Sequence, residues 1–184
     1  MRFHEAAVAG VFVVDLEPRP DERGFFARCF CERELTEHGL PSRFPQCNLS
    51  RNRRRGTLRG MHYQLPPRAE TKMVRCVRGA LYDVILDLRE GSPTFGRSFG
   101  AELSAENRRM MYVPKGVAHG FFTLTDDAEA LYFVDEFYGP ECERGVRWDD
   151  PRFAIAWPGE PVVMSDKDRA WRDFDPAWHL EANP

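Results

Sequence analysis

Two histidines in the middle of the chain have neighbours whose types suggest acid–base chemistry. His62 lies in the stretch LRGMHYQ, and His119 lies in PKGVAHG. Arg59 precedes His62 by three residues, and Lys72 follows it by ten. Burying cations beside one histidine is costly unless an anion occupies the space between them. We therefore expect an anionic ligand, such as a phosphate or a sugar nucleotide, next to a histidine that transfers protons. A hydrogen-bonded core histidine is the structural alternative.

The other candidate side chains have equally sound structural interpretations. The arginines within residues 51–55 fit a solvated loop before a strand, so a ligand role is reserved mainly for Arg59. From pattern alone, Tyr132 and Tyr138 are strand aromatics. Asp168 ends the stretch SDKD, whose serine three residues earlier gives the pattern of a helix cap. Spacing alone does not make Asp168 catalytic.

The two histidine stretches resemble the half-motifs of the cupin superfamily, a small β-barrel with a polar interior. GTLRGMH and PKGVAHG each place a glycine shortly before the histidine. Metal-binding cupins usually have a second histidine two residues after the first, followed by a glutamate. Here that position is Gln64, and the nearest acid is Glu70. Two histidines with one distant carboxylate make a poor metal site. The pattern favours a metal-free barrel, with iron or zinc on His62, His119 and Glu70 as the alternative.

Short apolar runs separated by turn signals predict many strands and few helices. In residues 80–88 the pattern alternates, so that Asp83 and Asp87 share a face with Leu81 and Ile85. This half-polar face predicts a cavity lined by side chains. Many short strands at regular spacing indicate an all-β barrel or double-sheet jelly roll, in one domain spanning residues 1–184. Strands are predicted at 10–15, 25–31, 72–77, 80–88, 110–114, 119–124 and 130–137, and helices at 31–39, with Gly39 as the C-cap, and at 165–171. The other histidines, His4, His38 and His179, are predicted at the surface.

The composition limits the partners that the chain can have. Its 184 residues carry a formal net charge of −3, with a pI of about 6.0, which is not the basic composition of a protein that coats nucleic acid. The five cysteines form no C-x-x-C pair, so we expect reduced thiols and a cytosolic location. No segment approaches membrane-spanning length. Neither a nucleic acid nor a membrane is an expected partner.

The sequence resembles the dTDP-4-dehydrorhamnose 3,5-epimerase family, which is built on a metal-free cupin-type jelly roll. The matching segments run in family order over nearly the whole chain, and the set is far more specific than any one member. They are DERGFF, QCNLS, LRGMHYQ, KMVRCVRGALYDVILDLREGSPTFG, LSAEN, VPKGVAHGFFTL, LYFVDEFYGPECERGVRWDDP, AIAWP and SDKD.

The resemblance implies an enzyme acting on a nucleotide-linked 4-keto-6-deoxyhexose. The C4 carbonyl acidifies the hydrogens on C3 and C5, so a base can remove one and an acid can return a proton on the opposite face. This chemistry requires no metal or redox cofactor. By motif position, His62 is similar to the family's base, Asp168 to the carboxylate that orients it, Tyr132 to the acid, and Lys72 to the cation near the enolate oxygen.

The resemblance also implies a set of substrate-binding residues and a homodimer. Arg59 and His119 match pocket positions, with Arg59 close to the diphosphate. In the family, the segment containing Arg23 and Phe26 crosses into the partner subunit's site. The remaining implied positions are Gln46 and Asn48 as polar lining and Tyr138 and Trp148 as aromatics that border the nucleotide.

Two positions depart from the family pattern. Arg28 stands where the family usually has glutamate, near the nucleotide end, and Phe133 stands where it commonly has lysine, after the catalytic tyrosine. The core residues do not separate inversion at C3 and C5 from inversion at only one centre, or the nucleotide that is used. A metal-dependent cupin enzyme and a non-catalytic sugar-nucleotide-binding cupin remain alternatives.

Overall fold

The computed structural model describes residues 1–181, and strands dominate that part of the chain. Thirteen strands and three short helices lie within it. The strands are β1 (Arg2–Glu5), β2 (Phe12–Asp15), β3 (Arg19–Asp21), β4 (Gly24–Phe26), β5 (Gln46–Asn52), β6 (Leu58–Gln64), β7 (Lys72–Arg78), β8 (Ala80–Asp87), β9 (Ser98–Ser104), β10 (Met110–Val113), β11 (Val117–Thr123), β12 (Ala128–Val134) and β13 (Glu143–Gly145). The helices are α1 (Glu32–Glu37), α2 (Asp166–Arg169) and α3 (Pro176–His179).

Two antiparallel sheets form the body of the fold. One sheet has the strand order β1-β2-β10-β7-β12-β5, and the other has the order β13-β6-β11-β8-β9. Strands β3 and β4 form a separate two-stranded hairpin. The order of strands within each sheet does not follow the chain, as expected where strands cross between two packed sheets. This arrangement confirms the predicted all-β, cupin-type double-sheet jelly roll with few short helices.

Apolar side chains from both sheets meet between them and hold the sheets together. Val74 and Met111 from the six-stranded sheet share a buried cluster with Ile85 and Phe121 from the five-stranded sheet. The alternation in β8 explains a second buried cluster, because Val84 and its same-face neighbours pack on the outer side of the sheet. There the C-terminal part of the chain covers them with Phe153, Ile155, Trp157, Phe174 and Leu180.

The predicted half-polar face of β8 points into the space between the sheets. Leu81 and Ile85 belong to the inter-sheet cluster, and Asp83 between them is fully buried. The carboxylate of Asp83 lies 2.7 Å from Nε2 of His119 on the adjacent strand β11. Polar side chains thus enter the interior beside the apolar cluster, as the alternation predicts.

Several element boundaries differ from the prediction. Strand β4 ends at Phe26, so residues 27–31 are not strand, and Cys31 is the N-cap of α1. Strand β12 ends at Val134, three residues before the predicted end. Helix α1 matches the prediction at its C-terminus, where Gly39 follows the helix with a φ of +69° and donates to a carbonyl of the last turn.

His179 is the clearest error in the sequence prediction. His4 and His38 are exposed, as expected, but His179 is fully buried. Its ring packs at 5.0 Å from that of Phe174, and Tyr63 donates a hydrogen bond to its carbonyl. The terminal segment folds back onto the sheet, so proximity to the end of the sequence did not mean exposure.

Among residues 1–181, no helix is both long enough and apolar enough to cross a membrane.

Candidate active site

A cavity with two adjoining lobes opens between the sheets. The lobes have volumes of about 460 Å³ and about 300 Å³, which is in the range of ligand sites. His62, Lys72 and Tyr132 line both lobes and mark their junction. Eight of the twelve predicted site residues therefore share one cavity: these three, Arg59 and His119 in the larger lobe, and Gln46, Asn48 and Tyr138 in the smaller lobe.

The two cavity histidines are neighbours on adjacent strands. His62 on β6 pairs directly with His119 on β11, so both side chains leave the five-stranded sheet on the same face. The strands approach closely here because Gly60 and Gly120 lack side chains. A Cβ atom on Gly60 would lie 2.5 Å from the Cα of Gly120. A larger residue at position 60 would separate the strands and displace both imidazoles.

His62 forms a dyad with Asp168. Nε2 of His62 lies 2.5 Å from Oδ1 of Asp168, which is buried on the first turn of α2. Burial opposes ionisation of this carboxyl, but hydrogen bonds and charge from His62, with help from Ser165 and Trp171, outweigh it and lower the pKa of Asp168. The carboxylate therefore holds the Nε2 proton, which leaves Nδ1 of a neutral imidazole as the basic nitrogen.

Asp168 makes contacts that fit both interpretations, with different atoms. Its backbone N–H donates to the hydroxyl of Ser165 at 3.1 Å, which is the predicted helix cap. Its carboxylate points to His62. The capping bond involves only the Asp168 backbone, so the side chain is free to serve the imidazole.

Tyr132 faces His62 from the opposite sheet. It lies on β12 in the six-stranded sheet, opposite Asn48 on β5 and Val74 on β7. Burial raises the pKa of Tyr132; Arg59 opposes this rise, and Glu70 adds to it. The phenol is therefore protonated at neutral pH. An imidazole and a phenol therefore line the same cavity from its two walls.

Lys72 is held at the junction by two acceptors. Its Nζ lies 2.9 Å from Oε1 of Glu70 and donates to the His62 carbonyl at 3.2 Å. Glu70 is fixed in turn by Gln64, whose amide nitrogen donates to the second carboxylate oxygen at 2.8 Å. The Gln64 oxygen accepts from the Gly139 N–H at 2.6 Å. An ammonium group has three donors, so these two acceptors leave one N–H for the cavity.

The three candidate metal ligands have separate partners. His62 bonds to Asp168, His119 bonds to Asp83, and Glu70 pairs with Lys72. Within residues 1–181, no three of the histidine, cysteine and acidic side chains gather in a way that could hold a metal ion. Each of the three side chains is therefore bonded to a different partner in this structure.

The comparison with known proteins identifies the family. Residues 5–175 match the family model described as dTDP-4-dehydrorhamnose 3,5-epimerase. The chain belongs to this family. It is 46% identical over 159 residues to the dTDP-4-dehydrorhamnose 3,5-epimerase of Shigella flexneri, and the match covers 85% of this chain and 87% of the relative.

Solved structures of this epimerase family have the same fold. The enzyme from Bacillus anthracis, with TDP and PPi bound, superposes with a TM-score of 0.90 at 40% identity, covering 94% of this chain and 99% of that one. The enzyme from Legionella pneumophila, in complex with dTDP-4-keto-L-rhamnose, has a TM-score of 0.90 at 38% identity, covering 100% and 98%. The resemblance found in the sequence is confirmed over almost the full length.

The sequence did not predict an ion pair at the edge of the smaller lobe, which Glu143 lines. Tyr138 donates from its hydroxyl to Oε2 of Glu143 at 2.7 Å, and Lys167 also pairs with that oxygen. The bond to Glu143 raises the pKa of Tyr138. Burial opposes ionisation of Glu143, but Lys167 and Tyr138 together lower its pKa. Lys167 directly precedes Asp168 in SDKD, and that adjacency was the signal available in the sequence.

Three predicted binding residues lie outside the cavity of this chain. Trp148 packs beside Leu58 and Phe122, and its carbonyl accepts from the indole of Trp157. Trp148 is not among the residues that line either lobe, and its predicted place beside the nucleotide stays a prediction. Arg23 and Phe26 belong to the exposed β3–β4 hairpin, where the side chain of Arg23 is 84% exposed.

The two departures from the family pattern also lie away from the cavity within residues 1–181. Phe133 follows Tyr132, so strand alternation places it on the outer face, where its ring stacks 5.9 Å from that of Phe30. Arg28 pairs with Glu34 at 3.3 Å, near the exposed hairpin. Phe133 therefore does not line the cavity of its own subunit.

Proposed function

We propose that this chain inverts C3 and C5 of dTDP-4-dehydro-6-deoxyglucose to give dTDP-4-dehydrorhamnose. The observation that carries the proposal is the placement of the His62–Asp168 dyad and Tyr132 on opposite walls of one cavity. An epimerase needs two such groups, because one base that returns its own proton regenerates the starting configuration. A binding protein has no need of this pair.

The first step is removal of the proton on C3 or C5 by His62. The electron pair of the C–H bond moves toward the C4 carbonyl, and an enolate forms. Nδ1 accepts the proton, and the resulting imidazolium is stabilised by the buried carboxylate of Asp168 at Nε2. The free N–H of Lys72 at the lobe junction stabilises the charge that develops on the enolate oxygen.

The second step is protonation of the enolate from the opposite face by Tyr132. The phenol gives its proton to carbon, and the configuration at that carbon is inverted. Tyr132 then regains a proton from solvent, and His62 releases one to solvent, so the cycle consumes nothing. Repetition at the other centre completes the reaction.

The two lobes suggest how the substrate lies. Arg59 and His119 line the larger lobe, where the guanidinium donors of Arg59 fit a diphosphate oxygen. Gln46 and Asn48, on the inner face of β5, provide polar lining in the smaller lobe, and Tyr138 borders that lobe.

The five cysteines are all free, which fits the reducing cytosol in which we place the enzyme.

The test of the function is product analysis with the purified protein. Incubation with dTDP-4-dehydro-6-deoxyglucose is expected to give the sugar inverted at both centres, identified by proton coupling constants in NMR. Inversion at C3 or C5 alone would make the chain a mono-epimerase. Binding without any inverted product would support the sugar-nucleotide-binding alternative, and activity that requires stoichiometric iron or zinc would support the metal-dependent one.

Asp168→Asn is expected to lower kcat by about a hundredfold or more without unfolding the protein. Asparagine presents an N–H to Nε2 of His62, so the ring proton moves to Nδ1, the nitrogen that must accept the substrate proton. The helix cap is unaffected, because it uses the backbone of residue 168. Asp166→Asn, an exposed change on the same helix, is the matched control and should be silent. Near-normal turnover in Asp168→Asn would show that the carboxylate is not needed for catalysis and that Asp168 serves only in the helix cap.

The homodimer is part of the proposal, with Arg23 and Phe26 completing the partner's site. Both lie on an exposed hairpin, where Phe26 is 66% exposed beside the exposed Phe25, and adjacent exposed apolar residues are typical of a surface that a partner covers. Arg23→Ala and His62→Asn should each be nearly inactive alone. Mixed and re-associated, they should regain activity, because one site then has His62 from one subunit and Arg23 from the other. Failure of the mixture to regain activity, with mixed dimers demonstrated, would contradict a shared site.

A further inference from the structure

Arg59 is held in the cavity by an uncharged partner. Its Nε donates to Oδ1 of Asn52 at 2.7 Å. Among residues 1–181, no carboxylate lies within ion-pair distance of this guanidinium, and Asn52 is its one side-chain hydrogen-bond acceptor. The two terminal nitrogens remain available on the side that faces the larger lobe.

The neighbouring cations are held differently. Arg51, which also lines the larger lobe, pairs with Asp127 at 2.6 Å. Lys72 pairs with Glu70 at 2.9 Å. A carboxylate therefore balances the charge of each of these two cations, whereas none balances the charge of Arg59 within residues 1–181.

The orientation of the Asn52 amide is fixed by its surroundings. Asn52 is 2% exposed and ends the inner face of β5. Its Nδ2 donates to the carbonyl of Ala128 at 3.3 Å and to that of Ser50 at 3.4 Å. A flipped amide would place its oxygen against two carbonyls and its NH₂ against the donor Nε of Arg59. The carbonyl oxygen must therefore face Arg59.

We infer that Asn52 is a positioning residue that aims Arg59 at the substrate's diphosphate without neutralising its charge. An aspartate at this position could make the same contact to Nε, but its negative charge would oppose an incoming diphosphate and compete with it for the guanidinium. An alanine would leave Arg59 charged but would remove the acceptor that fixes the orientation of its guanidinium. The inference rests on the proposed function, because it takes the diphosphate to lie beside Arg59.

The test is a double-substitution cycle read by calorimetric titration with TDP. Asn52→Asp is expected to weaken TDP binding by about tenfold or more, and Asn52→Ala by less, because only the first introduces an opposing charge. The effect of Asn52→Ala should largely vanish when Arg59 is also replaced by alanine, and the effect of Asn52→Asp should shrink to the direct repulsion between the aspartate and the diphosphate. In turnover, KM should rise while kcat changes little, because Asn52 touches neither His62 nor Tyr132.

The outcomes separate this role from a structural one. If Asn52 only stabilises the end of β5, its substitutions should lower the melting temperature and affect TDP equally with or without Arg59, which would overturn the inference. Unchanged TDP affinity in both Asn52→Asp and Asn52→Ala would also overturn it. Should Asn52→Asp fail to fold, Asn52→Ala with its Arg59→Ala cycle carries the test. Failure of the proposed function appears separately, as wild-type protein that makes no inverted product.

Discussion

His62→Asn is expected to abolish epimerisation while preserving the fold and most of the affinity for TDP. The asparagine can still contact Asp168, but it has no basic nitrogen to take the proton from C3 or C5. General-base catalysis contributes about 10²–10⁴-fold to such reactions, so kcat should fall by at least about a hundredfold. Deuterium incorporation at both carbons, followed by NMR in heavy water, measures the loss directly.

His119→Asn is the matched control for His62→Asn. It removes the other imidazole of the same cavity, which lies on the adjacent strand and is bonded to Asp83. Because His119 is assigned to binding, this variant should have weaker substrate affinity and should retain exchange at saturating substrate. The assignment would be reversed if His62→Asn exchanged at the wild-type rate and His119→Asn did not.

Tyr132→Phe is expected to separate hydrogen exchange from inversion. Phenylalanine keeps the ring that packs against the inter-sheet cluster and loses only the proton donor. Deprotonation by His62 can still occur, so some deuterium should enter the substrate. Protonation from the opposite face has no donor, so inverted product should fall by about a hundredfold or more, well beyond the fall in exchange. Both rates are measured on one sample by NMR.

Tyr138→Phe provides the comparison for Tyr132→Phe. The Tyr138 hydroxyl is bonded to Glu143 and is placed at the border of the smaller lobe. Its loss should leave the ratio of inversion to exchange close to that of wild type. If Tyr132→Phe inverted normally and Tyr138→Phe did not, Tyr138 would be the acid.

The local pattern of the sequence was enough to predict seven of the thirteen strands within residues 1–181, and the side chains that β8 turns toward the interior. Alternation in β8 placed Asp83 in the interior, because a strand turns successive side chains to opposite sides. The same rule explains why Tyr132 faces the cavity and Phe133 faces away. Residues that lie on one strand, or on strands that pair directly, were thus within reach of sequence reasoning.

Contacts between segments that are distant in the sequence could not be predicted from the local pattern. The bond between His62 and Asp168 joins residues 106 positions apart, so only the family resemblance indicated it. The burial of His179 depends on the terminal segment folding onto a sheet, and nothing in its local sequence specifies that. Asn52 looked like part of a solvated arginine-rich loop, because its role depends on which way the end of β5 turns.

Site-resolved hydrogen transfer in heavy water tests the central claim most directly. The claim is that each inverted carbon loses its proton to His62 and receives a different one through Tyr132 on the opposite wall. Wild-type protein should therefore give dTDP-4-dehydrorhamnose that carries solvent deuterium at both C3 and C5. Inverted product that retained its original hydrogen at either centre would contradict the two-group mechanism.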